Sequence, residues 1–254
     1  MTAFSNLLGD PRFAVLAAIA AVAGLVRGFS GFGSGMILAP SVAALFSPPA
    51  ALITLFVVDS GPSSLLLPSA VKQARWREVI PAAAGFLAGA PAGLWFLVHG
   101  DPLALRWAIT VSILALTPAL WLGLSYKGPR GAPLSFAVGV VSGFMGNAAG
   151  LPGPPIIFYW MAAHANAAIV RANLIAFFAI SLVISGFGLW FAGVFTWERI
   201  AMGLLACPAS LIGLLAGMAM FDRASQKLYR RVAFLIVLAA AILSAPMLDG
   251  VLRG

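Results

Sequence analysis

Ionisable side chains are scarce in this sequence, and three of them lie inside or beside long apolar runs. Arg27 precedes a glycine-rich segment, Asp59 lies in the middle of an apolar run, and Arg171 opens another. A charge at the centre of a membrane span costs roughly 2.5 to 3.5 kcal/mol on insertion scales, so each needs a compensating role. A guanidinium can hold a planar or tetrahedral oxyanion through paired hydrogen bonds. A buried carboxylate can carry a proton or pair with the arginine.

Each of these residues also has a purely structural interpretation. Arg27 could anchor its helix by extending to the lipid headgroups, and Arg171 could belong to a loop. Asp59 is followed by Ser60, Gly61 and Pro62, which predict a kinked helix, so it could be a capping residue that stays protonated. His99 and His164 are expected at span boundaries, and the single cysteine, Cys207, is expected to serve packing.

Two glycine-rich segments supply a second kind of chemistry. GLVRGFSGFGSGMILAP begins at Gly24 and GVVSGFMGNAAGLPGPP at Gly139, and a shift of 115 positions (143 − 28) aligns them without a gap. Seven aligned positions are identical: Gly24/Gly139, Val26/Val141, Gly28/Gly143, Phe29/Phe144, Gly31/Gly146, Gly35/Gly150 and Pro40/Pro155. A spaced set that includes a phenylalanine and a proline indicates an internal duplication.

Both segments are predicted to be interrupted helices that hold an anion. Broken helices are tolerated inside a bilayer only where protein or a water-filled cavity satisfies the backbone. The helix after a break presents free N–H groups and a partial positive charge. The alternative is simple close packing of helices, which we expect for Gly85, Gly89 and Gly93. The predicted substrate-binding residues are Arg27, Gly31, Phe32, Gly33, Ser34, Gly35, Gly146, Asn147, Ala148, Gly150 and Gly153, with Asp59 as a proton-coupling candidate and Arg171 as a secondary candidate.

The composition requires lipid as the main solvent for the elements that carry these residues. Of 254 residues, 62% are hydrophobic and 9% charged, whereas a soluble domain has about 25% charged residues. Apolar runs of about 20 residues predict membrane spans. The runs cover 11–27, 50–71, 79–99, 103–124, 167–195, 199–220 and 232–249, with broken stretches at 31–46 and 132–163. The fold class is therefore an all-α polytopic membrane protein.

The order of elements repeats, which divides the chain into residues 1–126 and 132–254. Each half is predicted to hold a glycine- and proline-broken helix pair followed by three spans, with Trp76/Trp197 and Asp101/Asp222 as weaker echoes. Basic loops mark the cytoplasmic side. The basic groups at 72–77 and 223–231 occupy different places in the two halves, so the repeats should be inverted. The first run is expected to be retained, and both termini should lie outside.

The two motifs resemble the paired glycine and proline signatures of the TauE/SafE sulfite-exporter family. The loops ARWRE and TWERI and the helices GFLAGAPAG and GLLAGMAM add to the resemblance, which covers nearly the whole chain. It implies an inner-membrane permease for small sulfur-containing or organic anions. Gly33, Ser34 and Gly35 replace a run of consecutive glycines in the first motif, and Ala148 and Ala149 depart from the second, which changes the size of the site.

Inverted repeats and matched breaks predict a secondary transporter that exports a small anion across a bacterial-type inner membrane by alternating access. An anion channel or an importer remains as the alternative. An enzyme is not expected, because the spans hold no recognisable set of catalytic residues. The basic residues lie between apolar runs, so nucleic acid is not an expected partner, and neither a metal nor another cofactor is predicted. The expected partners are the anion and the lipid bilayer, and a homodimer is left open.

Overall fold

All secondary structure in the described part of the chain is helical. This computed structural model describes residues 11–101, 131–162 and 166–225, together with the single positions 228, 231, 232 and 235. The predicted span at 103–124, nearly all of the span at 232–249, and His164 lie outside the described residues. Lys127 and Arg130, a third basic group between predicted spans, also lie outside the described residues. The helices are α1 (Pro11–Ser30), α2 (Ser34–Leu45), α3 (Pro48–Ser60), a 3₁₀ helix (Pro62–Leu66), α4 (Leu67–Gln73), α5 (Trp76–His99), α6 (Ala132–Ala149), α7 (Gly153–Ala162), α8 (Ala167–Phe191) and α9 (Trp197–Phe221).

Five of these helices, α1, α5, α6, α8 and α9, are long and apolar enough to cross a membrane. The predicted run at 50–71 is instead a bent pair, with 41° between α3 and the segment Ser64–Gln73. The bend lies at Gly61 and Pro62, where these two residue types predicted a kink. Large apolar side chains project outward from the described helices, among them Phe187 and Ile212, which are 65% and 70% exposed. Lipid contact accounts for such exposure.

The directions of the long helices follow from their side-chain contacts. Along α5 and α8, Asn173 lies beside Glu78 near both helix starts, and Phe177 meets Phe86 further along, at 5.7 Å between ring centroids. These two helices therefore run parallel. The chain then turns back through 192–196, and Arg171 at the start of α8 lies 4.0 Å from the ring centre of Phe221 at the end of α9. Consequently α5 and α9 run in opposite directions.

Glycine allows α1 to pack against α9, and α6 against α5, with backbones in contact. A methyl group on Gly24 or Gly28 would collide with the carbonyl oxygens of Ser210 or Leu214. In the pair α6 and α5, Gly139 and Gly143 pack in the same way against the backbone of Ala82 and Phe86. The reciprocal set is Gly213 against Ala21, Gly217 against Leu25, Gly85 against Phe136, Gly89 against Val140 and Gly93 against Phe144. The packing role predicted for Gly85, Gly89 and Gly93 is confirmed.

The two packed pairs have the same register. Gly24 and Gly139 differ by 115, and their contacts Ser210 and Ala82 differ by 128 (210 − 82). Gly85 and Gly213 also differ by 128 (213 − 85), and their contacts Phe136 and Ala21 differ by 115 (136 − 21). The spacing between Trp76 and Trp197 is 121 (197 − 76). This is seven residues (128 − 121), about two helical turns, less than the spacing of 128 between the equivalent glycines Gly85 and Gly213. The two tryptophans therefore begin corresponding helices without occupying equivalent packing positions. Asp101 and Asp222, which follow the ends of the same two helices, have the same spacing of 121 (222 − 101) and are likewise not equivalent in packing.

The charged residues distinguish the two ends of the bundle. Lys72, Arg75 and Arg77 lie where α4 ends and α5 begins, and Arg223 follows α9. Because α5 and α9 run in opposite directions, all four lie at the same end, which we call the basic end. The opposite end carries His99 of α5, and there the described arginines, Arg12 and Arg199, are balanced by Asp101 and Glu198. The expectation that both basic groups share a face is confirmed for these four residues.

Candidate functional site

The first break separates α1 from α2 at Gly31 and Gly33. Their φ angles are 81° and 95°, in the left-handed region that glycine adopts without strain. The N–H of Gly31 closes α1 on the carbonyl of Arg27 at 2.7 Å. The Ser30 hydroxyl lies 2.7 Å from the carbonyl oxygen of Phe32 and satisfies part of the turn. The glycines predicted to interrupt this helix therefore do so.

The second break separates α6 from α7 at 150–152. Gly150 has a φ of 71°, and its N–H bonds to the carbonyl of Gly146 at 2.9 Å. The helix that follows begins Gly153-Pro154-Pro155, and proline has no N–H. The start of α7 therefore offers fewer amide donors than the start of α2, so the two motifs are not equivalent as anion sites.

The two breaks meet inside the bundle. A Cβ atom on Gly35 would lie 2.8 Å from the carbonyl oxygen of Gly150, and one on Gly153 would lie 2.6 Å from the methyl carbon of Met36. Gly35 and Gly150 are one of the identical pairs in the duplicated motifs. Matched positions of the two segments are thus in direct contact, as the prediction of a shared site requires.

A buried ionic cluster lies beside this junction. Arg27 Nη1 is 3.2 Å from Asp59 Oδ2 and donates to Ser34 Oγ, also at 3.2 Å. Ser34 Oγ donates to the same Asp59 oxygen at 3.1 Å. Arg27 and Asp59 are only 6% and 9% exposed. The pairing of Arg27 with Asp59, one of the roles considered for Asp59, is the one observed, and it neutralises both charges.

Arg171 lies in a different place, at the basic end. Its Nη2 donates to the carbonyl of Gly28 at 2.6 Å, and its guanidinium lies over the ring of Phe221. A Cβ atom on Gly31 would lie 2.8 Å from Arg171 Cγ and 3.0 Å from Ile175 Cγ1. Arg171 therefore covers the end of α1, where its positive charge complements the helix dipole.

A cavity of about 70 Å³ lies between α3, the second break and α8. This volume accommodates a small solute or a few water molecules. Asp59, Asn147, Ser181 and Ser185 are its polar residues, and Asn147 Nδ2 is already bonded to the carbonyl of Gly143 at 3.0 Å. The remaining lining residues are Leu52, Leu55, Phe56, Phe86, Gly146, Gly150, Pro152, Phe178, Leu182 and Leu189.

Comparison with known proteins identifies the family. The family described as sulfite exporter TauE/SafE matches residues 16–244. The chain belongs to the TauE/SafE family. It is 29% identical over 216 residues, which is 81% of this chain and 82% of the relative, to a protein named probable sulfite/organosulfonate exporter TauE from Cupriavidus necator. No solved structure shows a significant match. TauE/SafE membership makes this a multi-pass membrane protein, and its activity in general terms is anion transport.

The residues predicted for the TauE/SafE site fall into three groups. Asp59, Gly146, Asn147 and Gly150 line the cavity. Arg27, Ser34 and Gly35 do not line it and are next to it, through Asp59 or Gly150. The others do not line the cavity and belong to the breaks or to the helices around them: Gly31, Phe32, Gly33, Ala148, Gly153 and Arg171.

Several cavity residues of this TauE/SafE protein were missed by the sequence analysis. Phe56, Phe86 and Phe178 have no distinguishing pattern in a sequence so rich in apolar residues. Ser181 and Ser185 do have one, because hydroxyls four residues apart lie on the same face of a helix. In the described part of the chain, His, Cys, Asp and Glu side chains form no cluster that could hold a metal ion.

Proposed function

We propose that this protein is a secondary transporter that moves a small anion across the bacterial inner membrane by alternating access. The observation that carries the proposal is the contact of the two interrupted helices, Gly35 against Gly150, beside a buried arginine and a cavity. Irregular backbone at the centre of a membrane bundle is typical of transporter sites. Sulfite, a sulfonate or a related organic anion is the proposed substrate, in line with the name of the Cupriavidus relative.

The proposed architecture is a pair of inverted repeats. Support comes from the opposite directions of α5 and α9. If the bent pair of α3 and α4 is counted as one element, these two helices are the fourth elements of the two halves. Since α1 packs parallel to α9 and α6 parallel to α5, the two duplicated motifs also run in opposite directions. Two such halves can exchange conformations, which opens the central site to each side in turn.

The asymmetry of the cavity supports one stage of this cycle. The cavity lies against Gly146, and the equivalent of Gly146 in the first half is Gly31 (146 − 115). Gly31 lies at the basic end beside Arg171 and Ile175, at the start of α8. The cavity-lining residues of α8 begin at Phe178 and extend to Leu189, toward the opposite end. The cavity is therefore displaced from the basic end, which is the form expected of one stage of alternating access.

Export is the proposed direction. The basic end would face the cytoplasm under the positive-inside rule. Moving one negative charge outward is then favoured by about 2.3 kcal/mol per 100 mV of inside-negative potential. Asp59 would add proton coupling if it released Arg27 and took up a proton during the cycle. An importer would require a further coupling ion to overcome the same potential.

Anion flux in proteoliposomes tests the proposal. We expect uptake of sulfite or a small sulfonate that saturates with concentration and changes with an imposed potential. Empty liposomes and liposomes containing the heat-unfolded protein provide the controls. Absence of flux for every small sulfur or organic anion would overturn the proposed function, and single-channel currents without saturation would identify a channel instead.

A further inference from the structure

We infer that Asp59 occupies the place of the transported anion on Arg27, and that the Arg27–Ser34 pair takes a short organic monoanion with a carboxylate-type head. This inference rests on the proposed transport function and deepens it. It makes Asp59 a competitor of the substrate and a determinant of specificity. Asp59 is then not a ligand that helps to bind the substrate.

The geometry of the cluster is that of an occupied oxyanion site. Arg27 Nη1 and Ser34 Oγ both approach one oxygen of Asp59, at 3.2 and 3.1 Å. A charged donor and a hydroxyl converging on one oxygen are the contacts that a free carboxylate or sulfonate would receive. Ser34 is also the first residue of α2, whose N-terminus carries a partial positive charge. The carboxylate of Asp59 therefore shows which head group fits.

Arg27 retains unused donor capacity. Its Nε is buried and has no hydrogen-bond partner among the described residues. A buried donor without a partner is uncommon and indicates a missing water or ligand. A guanidinium can donate hydrogen bonds to two oxygens at once, whereas the ion pair with Asp59 is made through Nη1. An untethered anion could engage both edges of the group.

Asp59 is positioned to leave. It lies one residue before the end of α3, next to the bend at Gly61, and it lines the cavity while Arg27 does not. A rotation of this side chain toward the cavity would exchange the tethered carboxylate for an incoming one. Arg27 would stay paired throughout, and the released Asp59 carboxylate would take up a proton from water in the cavity, so that neither group is left as a lone charge in the apolar interior.

The lining of the cavity selects the body of the anion. Three phenyl rings, those of Phe56, Phe86 and Phe178, and several leucines surround few polar groups. A strongly hydrated inorganic ion would lose more hydration here than these groups replace. A short apolar chain attached to the charged head matches both regions.

Binding of propionate to the purified full-length protein tests the inference, with chloride as the comparison ion. The variants are Asp59→Asn, Arg27→Gln, the double variant, and Glu198→Gln, which removes an exposed acid at the start of α9. We expect Asp59→Asn to bind propionate about tenfold or more tightly than wild type, because the tethered competitor has lost its charge. Glu198→Gln should match wild type. Neither Arg27 variant should bind propionate, and no variant should gain affinity for chloride.

Asp59→Asn leaves Arg27 without its counterion and can therefore be unstable. In that case propionate, and not chloride, must restore a folded, monodisperse protein; instability that propionate does not relieve overturns the inference. Equal or weaker propionate binding by a folded Asp59→Asn overturns it as well. If wild-type flux of sulfite or a sulfonate persists under either result, only the inference fails. If no anion is bound or transported by any variant, the proposed function fails with it.

Discussion

Arg27 and Asp59 are the buried charged residues of the described chain, and their pairing governs what the site can do. A buried ion pair is weak evidence for stability, because desolvation offsets much of the attraction. Here the pair lies beside two helix breaks and a cavity, where a charge that can change partners has a use. Function accounts for its presence better than stability does.

Replacing Arg27 should greatly reduce transport without unfolding the protein when its partner is neutralised too. We expect Arg27→Gln/Asp59→Asn to lose about tenfold or more of the anion flux, since hydrogen bonds to charged groups contribute about 1.5 to 3 kcal/mol. Arg12→Gln is the matched control, because Arg12 is an exposed arginine of the same helix. Flux that stays at the wild-type level in the double variant would remove Arg27 from the site.

At the scale of single residues, the sequence allowed part of the site to be predicted. Arg27 and Asp59 stand out because a charge within an apolar run is expensive. Glycines at matched positions identified both breaks, including the contact pair Gly35 and Gly150. The aromatic lining was not predictable, since the orientation of Phe56, Phe86 or Phe178 depends on tertiary packing and not on any local pattern.

Among the elements, the glycine-lined pairs α1/α9 and α5/α6 form the rigid part of the bundle. Gly143→Ala should lower stability by about 1 to 3 kcal/mol, because the new methyl group would be forced into the backbone of Phe86. Gly188→Ala is the control, since a methyl group there meets Leu94 at an ordinary 3.4 Å. Thermal unfolding in detergent measures the difference. Equal melting temperatures would show that these helices are not in backbone contact.

Arg171 should keep the bundle closed at the basic end, where it contacts the end of α1. Arg171→Ala would remove the hydrogen bond to Gly28 and free the space beside Gly31, so the basic end should open more often. The reporter is Ile175→Cys in a Cys207→Ala background, and the rate of its reaction with a thiol reagent should rise. Lys72→Ala, an exposed change at the same end, should leave the rate unchanged. An unaltered rate in Arg171→Ala would contradict a closing role.

The elements also show where sequence patterns mislead. Trp76 and Trp197 invite an alignment of α5 with α9, but the packing positions are set by small residues, Gly85 with Gly213 and Gly89 with Gly217. Backbone contact depends on the absence of a side chain, so glycine spacing defines the register better than tryptophan does. The bend between α3 and α4 was foreseeable at Gly61 and Pro62, although its angle was not.

Taken as a whole, the molecule should lie in the membrane with its basic end inside the cell. Glu198→Cys at the opposite end should react with a membrane-impermeant thiol reagent in intact spheroplasts, whereas Ser225→Cys near the basic end should react only after permeabilisation. Both side chains are exposed, so accessibility alone does not separate them. The Cys207→Ala background serves as the blank. The reverse labelling pattern would place the basic end outside and undo the argument for export.

The central claim is that two oppositely directed, interrupted helices hold an anion between them next to Arg27. An experimental structure at a saturating concentration of a small organic sulfonate, with a matched anion-free sample, tests it most directly. We predict density for the anion beside Ser34 and Asn147, within hydrogen-bond distance of Arg27, with Asp59 turned away from the guanidinium. Density for the anion only at a lipid-facing or loop position, with the Arg27–Asp59 pair intact, would contradict the claim.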